Sequence, residues 1–312
     1  MLSALVKLFL FPGLVFLLGY GMWLEFVDRK VYARLQNRFG PPWYQPLADL
    51  LKLLGKETII PEGAKEARFR LLPVISLAAA ATAFLYVPVV GSQAAFAFEG
   101  DLIIVLYLSM IPALMAFLAG WYSRSVFATI GSTRELTQLF SYEAPLFISL
   151  LTPALLAKSW SISAIAAFYS QNPVLTLLNI PAFLVSIIAV QGKLERVPFD
   201  QSEAETEIVS GVYVEYSGRL FAIFRLTTDA ELVLMLSVMA AVFLPFVTGN
   251  PWVDFVLYLA KTGALLLVAT LLRAATARLR MEQMVNFCWR VVTPAALIEM
   301  LVVLMIRGGV LA

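Results

Sequence analysis

From its first residues onward the chain is punctuated by apolar runs long enough to cross a lipid bilayer, and this leaves few folds open to it. A spanning helix needs ~20 mostly apolar residues. Such runs lie at roughly 3–26, 70–90, 101–121, 139–157, 174–192, 229–248, 254–272 and 289–307. Hydrophobic residues make up 61% of the 312 residues and charged residues 14%, against ~25% charged in a soluble domain. No soluble core of this length could enclose so much apolar side chain, so lipid must solvate part of it. The expected fold is all-α: a polytopic integral membrane protein with about eight transmembrane helices, an amphipathic surface helix and an acidic cytoplasmic loop. No internal repeat or low-complexity tract interrupts the chain, and one membrane domain over 1–312 is expected. Pro12, Pro112, Pro145 and Pro245 fall inside the runs, where neighbouring helices or water take up the carbonyls they free.

Charge placement gives an orientation. Of the 23 lysines and arginines, all but Lys7, Lys158, Lys261 and Arg307 fall in, or at the edge of, alternate connections, beginning with that between the first two runs. The positive-inside rule assigns these connections to the cytoplasm, which places both termini outside the cytoplasmic membrane. The first run is followed by Glu25, Asp28, Arg29 and Lys30 without a small-residue cleavage site, so it reads as a retained span. A net charge of +2, spread along the chain, gives no reason to expect a nucleic-acid partner.

Composition also removes whole classes of chemistry. There is one cysteine, Cys288, and no histidine. A disulfide framework is excluded, as is ligation of zinc, haem or an iron–sulfur cluster by the usual ligand sets of one chain. Nucleophilic systems built on histidine are excluded too. No catalytic residue and no bound cofactor or metal is therefore expected, and any traffic in charge falls to Glu, Asp, Lys, Arg and Tyr.

Two connections are too long to be turns. In Gln45 to Lys56 the apolar residues Leu47, Leu50, Leu51 and Leu54 recur at helical spacing, with Asp49, Lys52 and Lys56 on the other side. This predicts a short helix lying on the membrane or against a partner. The second connection, 193–228, carries Glu195, Asp200, Glu203, Glu205, Glu207 and Glu215 in a chain with 21 acids in all. Glu203 and Glu207, four apart, would share a helix face and repel. Acids placed this closely raise one another's pKa and hold protons near neutrality. A solvated loop paired by Arg196, Arg219 and Arg225 is the plain alternative, and the apolar and aromatic flanks favour burial.

Further ionisable residues fall in or near the runs. Glu143 sits near the cytoplasmic start of the fourth, Asp229 and Glu231 open the sixth, Lys261 is inside the seventh and Glu299 is near the middle of the eighth. A charge at the bilayer centre costs ~2.5–3.5 kcal/mol on insertion scales, so such residues face a cavity or a partner. For Lys261 and Glu299 a structural pair or a contact with another chain is an equal reading. Arg273, Arg278 and Arg280, with Glu282, form a basic juxtamembrane loop suited to anionic headgroups or to an acidic partner.

At these residues the chain resembles a family: the NuoH-type membrane subunit of respiratory complex I and its relatives in membrane-bound NiFe hydrogenases and sulfane-sulfur reductases. The likeness is carried by 28–41, from Asp28, Arg29 and Lys30 to Gly40 and Pro41, and by Gln45 to Asp49 with Lys52, Lys56 and Glu57. It continues in Ser141-Tyr142-Glu143, in Arg196 to Asp200 with Glu203, Ala204 and Glu205, in Glu215 to Gly218, and in Arg273 through Arg278, Arg280 and Gln283 to Trp289.

The resemblance implies a subunit that anchors a peripheral redox arm and begins a polar path toward antiporter-like membrane subunits. On this reading Glu143, Glu203, Glu205, Glu207, Glu215, Asp229, Lys261 and Glu299 belong to the ion path. Arg29, Arg34, Arg38, Trp43, Tyr44, Arg196, Phe199, Asp200, Arg273, Arg278 and Arg280 belong to the docking surface. The NiFe centre and the iron–sulfur clusters are expected on partner subunits that resemble a hydrogenase large subunit and an iron–sulfur small subunit. After Gly40 and Pro41 the sequence continues Pro42-Trp43-Tyr44-Gln45-Pro46, which departs from the quinone-using pattern and is similar to the hydrogenase branch. A subunit of a membrane-bound hydrogenase is the first expectation, with the sulfane-sulfur reductase and quinone-reducing branches as alternatives. A stand-alone transporter is disfavoured by the lack of a repeat or of paired broken helices.

Overall fold

The computed structural model describes the backbone of residues 2–310 and the side chains of residues 5–204 and 207–308. In these the chain is helical throughout, in the order α1 (Leu2–Phe9), α2 (Leu14–Leu35), α3 (Gln45–Gly55), α4 (Glu66–Phe84), α5 (Asp101–Tyr122), α6 (Val126–Ala157), α7 (Ile162–Gln171), α8 (Ile180–Lys193), α9 (Glu205–Ile208), α10 (Gly218–Phe243), α11 (Pro251–Ala275), α12 (Met281–Phe287) and α13 (Thr293–Val310). A 3-10 segment, Pro173–Asn179, leads into α8, and a π-helical turn, Cys288–Val292, joins α12 to α13.

Among the described residues eight segments are long and apolar enough to cross a membrane: Leu5–Leu35, Glu66–Phe84, Asp101–Tyr122, Val126–Ala157, Pro173–Lys193, Gly218–Phe243, Pro251–Ala275 and Met281–Gly308. The chain is a multi-pass, all-α membrane protein. α10 runs through the middle and packs on α2, α4 and α11, while α6 packs on α5, α8 and α13. The main core gathers Leu17 and Leu24 from α2, Phe84 from α4, Leu146 and Leu150 from α6, and Val233, Leu236 and Phe243 from α10.

Two segments begin well before the apolar run that announced them. α6 starts at Val126 rather than near 139, and α10 at Gly218 rather than near 229. The early part of α6 is polar on one face, and that face points inward: Ser132, Glu135 and Gln138 are all buried. Hydropathy averaged around the helix hides such a segment, because the polar stripe offsets the apolar one. The prolines also divide. Pro112 and Pro145 lie within helices as expected. Pro12 instead falls in the break between α1 and α2, and Pro245 lies just beyond the end of α10, consistent with proline removing a helix hydrogen bond.

The surface helix forms as α3, with Pro46 in its first turn, where the missing N–H has no helical partner to lose. It packs on α10 and α2, yet Leu47, Leu51 and Leu54 remain exposed, next to Trp43 at 69% and Phe39 at 83% exposure.

The acidic connection, 194–217, is no wide solvated loop. Among the described residues its α-helix is the single turn α9, which begins after Glu203, and a 3-10 turn follows at Gly211–Tyr213. Glu203 and Glu207 therefore share no helix face, contrary to the spacing. The loop is seated on α6 by two glycines. A side chain on Gly131 would meet Val212 N at 2.6 Å, and one on Gly211, at φ +51°, would meet the Ser202 carbonyl at 1.7 Å. Only glycine fits both places.

Candidate functional site

One end of the helix bundle holds a cavity of about 660 Å³ beneath the acidic loop. Its wall is drawn from α2, α5, the end of α8, the loop, α10 and α11, and its ionisable residues include Glu25, Asp28, Lys193, Glu195, Glu203, Arg225, Asp229 and Glu231. A site this charged inside a membrane protein is costly unless its groups are paired, protonated or hydrated, which makes it the candidate site of this chain.

The mouth is organised by two acids of α2, one turn apart. Asp28, only 3% exposed, accepts from Thr270 Oγ1 at 2.6 Å, from Arg196 Nη1 at 3.2 Å and from Arg273 Nη1 at 3.1 Å. It thus ties α2 to α11 and to the loop. The Arg273 guanidinium also lies 4.5 Å from the centre of the Tyr32 ring. Glu25 accepts from Arg29 and, at 2.8 Å, from Arg225 of α10. Arg29 reaches on to Asp49 of α3 at 3.0 Å, so the surface helix is ionically joined to the cavity rim.

Deeper in, a row of acids runs along α6, the loop and α10. Glu195 accepts from Ser202 Oγ at 2.6 Å and lies against Glu135, Glu203 and Glu231. Burial, then the charges of Glu135 and Glu203, push its carboxyl well above the usual range. Gln138 Nε2 donates to the Gly192 carbonyl at 2.8 Å and Gln191 Nε2 to the Ala269 carbonyl at 2.5 Å, which lock α8 to α6 and α11. Glu143 is 8% exposed, and neither of its carboxyl oxygens has a hydrogen-bond partner among the described residues. Lys193 is enclosed among these acids and lies 3.9 Å from Glu231.

The residues expected in the ion path are thus only partly brought together. Glu203 and Asp229 line the chamber, whereas Glu143 is buried on α6 and is not among the lining residues. Glu207 does not enter it: it is ion-paired to Arg134 at 2.6 Å and to Arg278 at 3.6 Å. The hydrogen bond and charge of Arg134 hold its carboxyl below the usual range. Glu215 is half-buried before α10, and the side chain of Glu205 lies outside the described residues. Lys261 is remote, donating to the Phe246 carbonyl at 2.5 Å beyond the end of α10. Glu299 is buried in α13 beside Ala182 of α8.

The docking set divides similarly. Trp43 and Tyr44 are exposed and stack edge to face, and Arg34 covers the exposed Phe39 ring. Arg38 and Arg280 also lie on the surface. Arg196 and Arg273 are committed to Asp28. Phe199 is buried with Met284 and Cys288. Asp200 pairs with Arg278 at 3.2 Å, and its carboxyl is pushed up by burial against the pull of that arginine.

Glu25, Asp28, Glu135 and Lys193 were not singled out as site residues from the sequence. Glu135, Gln138 and Tyr142 recur at three- and four-residue spacing, which would have given the signal had α6 been extended N-terminally. Lys193 was counted as a loop charge. Among the described residues no group of Asp, Glu, Cys and His is arranged to hold a metal ion, and Cys288 is a buried free thiol.

Fold and chamber together define a class: a multi-pass membrane subunit whose buried ionisable residues collect under one loop-rich end. The profile of the NADH dehydrogenase family matches residues 7–304, and the chain belongs to that family. It is 33% identical to the H subunit of the NADH-quinone oxidoreductase of Syntrophotalea carbinolica, over 95% of this chain and 94% of the relative. It is 35% identical to an H subunit of the NADH-quinone oxidoreductase of Geobacter metallireducens, over 91% and 92%. Among solved structures it resembles a chain of the membrane-bound sulfane sulfur reductase, an archaeal respiratory membrane complex. The TM-score is 0.84 at 27% identity, covering 97% of this chain and 98% of that one. The chain is accordingly a membrane subunit of the complex I and hydrogenase superfamily of oxidoreductases.

Proposed function

We propose that this chain anchors the peripheral redox arm of a complex I-related oxidoreductase and couples electron transfer in that arm to ion movement across the membrane. The observation that carries this reading is the chamber itself: acids from α2, the loop and α10 line one cavity inside a membrane protein, and an ion pair joins its rim to the surface helix α3. A change of charge or shape in a docked arm would reach these acids through the loop and through Arg29, which touches both α3 and the rim. The charge asymmetry of the connections favours a cytoplasmic position for this end, with both termini outside. Partners on this reading are an active-site subunit and an iron–sulfur subunit in the arm, with antiporter-like subunits in the membrane.

For the branch, the matched proteins are sulfane-sulfur reductase and NADH-quinone oxidoreductase subunits, which favours these two over the hydrogenase first expected. The sulfane-sulfur reductase branch is our reading: the likeness to that chain covers both proteins almost completely, and Pro42-Trp43-Tyr44 departs from the quinone-using pattern. The cavity wall is mostly charged, a poor surface for an apolar isoprenoid tail. The quinone branch is the second reading, favoured by the relatives from NADH-quinone oxidoreductases.

The test is purification of the intact complex with identification of its chains, followed by Glu143→Gln. The reading expects co-purifying iron–sulfur proteins, and an assembled variant that transfers electrons without moving ions. Isolation of the chain alone, or an assembled variant moving ions at the normal ratio, would overturn it. Polysulfide-dependent against quinone-dependent turnover decides the branch.

A further inference from the structure

Lys193 is the cation of the inner chamber, and a docking or anchoring role does not account for it. Its side chain is 0% exposed. Nζ donates to the Ser109 carbonyl of α5 at 2.5 Å, lies 3.9 Å from Glu231 Oε1 of α10 and 5.6 Å from the centre of the Tyr142 ring of α6. Glu135 and Glu143, also on α6, feel its charge, while Glu195 in the loop faces Glu135 and Glu231. Residues of three membrane helices thus converge on an amine carried by a fourth.

This is not the geometry of a lysine locked into one ion pair. A charge-assisted N–H···O bond spans about 2.7–2.9 Å, and the Glu231 contact is longer. Glu231 Oε1 and both carboxyl oxygens of Glu143 are buried without a hydrogen-bond partner among the described residues. A single buried ion costs several kcal/mol unless it is paired, so one amine among three carboxyls supports few of them in the charged form.

Resting on the ion-coupling reading above, we infer that Lys193 is the travelling counter-cation of the path: it supports one carboxylate at a time among Glu135, Glu143 and Glu231. A proton moving along the row hands that support from one acid to the next. In each step a carboxylic O–H gives its proton, directly or through one water, to a neighbouring carboxylate. The donor becomes the anion and the acceptor the neutral acid, so the number of charges is unchanged. The long stem and compact ammonium of lysine suit this task. The Ser109 carbonyl and the face of Tyr142 hold the charge between partners.

The experiment compares Lys193→Met, Lys193→Arg and Glu143→Gln in the assembled complex reconstituted into vesicles, reading ions moved per electron as a function of pH. Removing the cation leaves the acids holding their protons to higher pH. The Met variant should therefore lose coupling near neutrality and recover part of it about 1–3 pH units higher. The Arg variant, which keeps the charge, should retain the wild-type pH range. A Met variant with the wild-type ratio and an unshifted profile overturns the inference. Should that variant fail to assemble, Lys193→Met with Glu231→Gln removes the pair as a unit. Assembly without coupling then supports the hand-off, and either normal coupling or failure to assemble overturns it, the latter by making the amine a structural tie. Glu143→Gln separates the two levels. If it uncouples while Lys193→Met does not, only the lysine inference falls; if it too leaves coupling intact, the coupling reading falls.

Discussion

Thr270 donates its hydroxyl to Asp28 across 2.6 Å, although 242 residues separate them in the chain. With Arg196 and Arg273 on the same carboxylate, this contact fixes the first and seventh membrane segments and the acidic loop at one point. Asp28→Asn should leave two arginines without their shared anion, and breaking a buried pair in this way costs about 3–5 kcal/mol. Thr270→Val removes one hydrogen bond and should cost about 1 kcal/mol. Thermal unfolding of the solubilised complex, with hydrogen exchange over 194–200, checks the order. Equal, negligible effects would remove the clasp from the account.

Glu195 sets a pH dependence with a definite sign. Its folded-state pKa is raised well above 4.5 by burial and by Glu135 and Glu203, so the folded chain holds a proton that the unfolded chain releases. Stability contributed by the protonated form is complete below 4.5 and falls as pH rises toward the folded value. Glu195→Gln should match the wild-type melting temperature near pH 4 and exceed it at pH 8. A variant less stable at pH 8 would reverse the sign.

Glu207 behaves in the opposite sense. Arg134 holds its carboxyl low, so its pairing supports the loop above the ordinary carboxylate range and is lost as pH falls through the folded value. The side chain is half exposed, which makes the effect small and salt-sensitive. Glu207→Gln should loosen the loop toward proteases at low salt while leaving ion movement less affected than Glu143→Gln does. Equal loss of coupling in the two variants would place Glu207 in the path.

The proposed docking role assigns the exposed face of α3 to the arm. On that proposal Leu51→Glu or Trp43→Ala should weaken retention of co-purifying peripheral subunits without lowering the amount of membrane-inserted chain. A single cysteine replacing Glu62, in a Cys288→Ser background, should resist an impermeant thiol reagent in intact cells and react in inverted vesicles. Labelling from outside would invert the orientation.

The spans and the surface helix were legible because each depends on local pattern: apolar length for the one, three- and four-residue spacing for α3. The chamber was legible only in part. Glu143 and Asp229 stood out as charges near apolar runs, but Glu135 was hidden by the polar face of α6, and Lys193 looked like an ordinary loop lysine. Nothing local distinguishes Glu203 from Glu207 either. The first lines the cavity and the second meets Arg134 and Arg278 because of how the loop folds back on α6.

That fold-back rests on Gly131 and Gly211, where the loop and α6 meet too closely for any side chain. The glycine contact itself is steric and carries no charge, and the Glu207–Arg134 pair braces the loop beside it. The cavity-lining Glu195 and Glu203 can therefore be exchanged while the glycines and that pair keep the loop in place. For an engineer, proton affinity and loop position become separate dials on this protein, and a variant tuned to work in a more acidic or alkaline medium could be sought by rewriting the cavity-lining carboxylates alone.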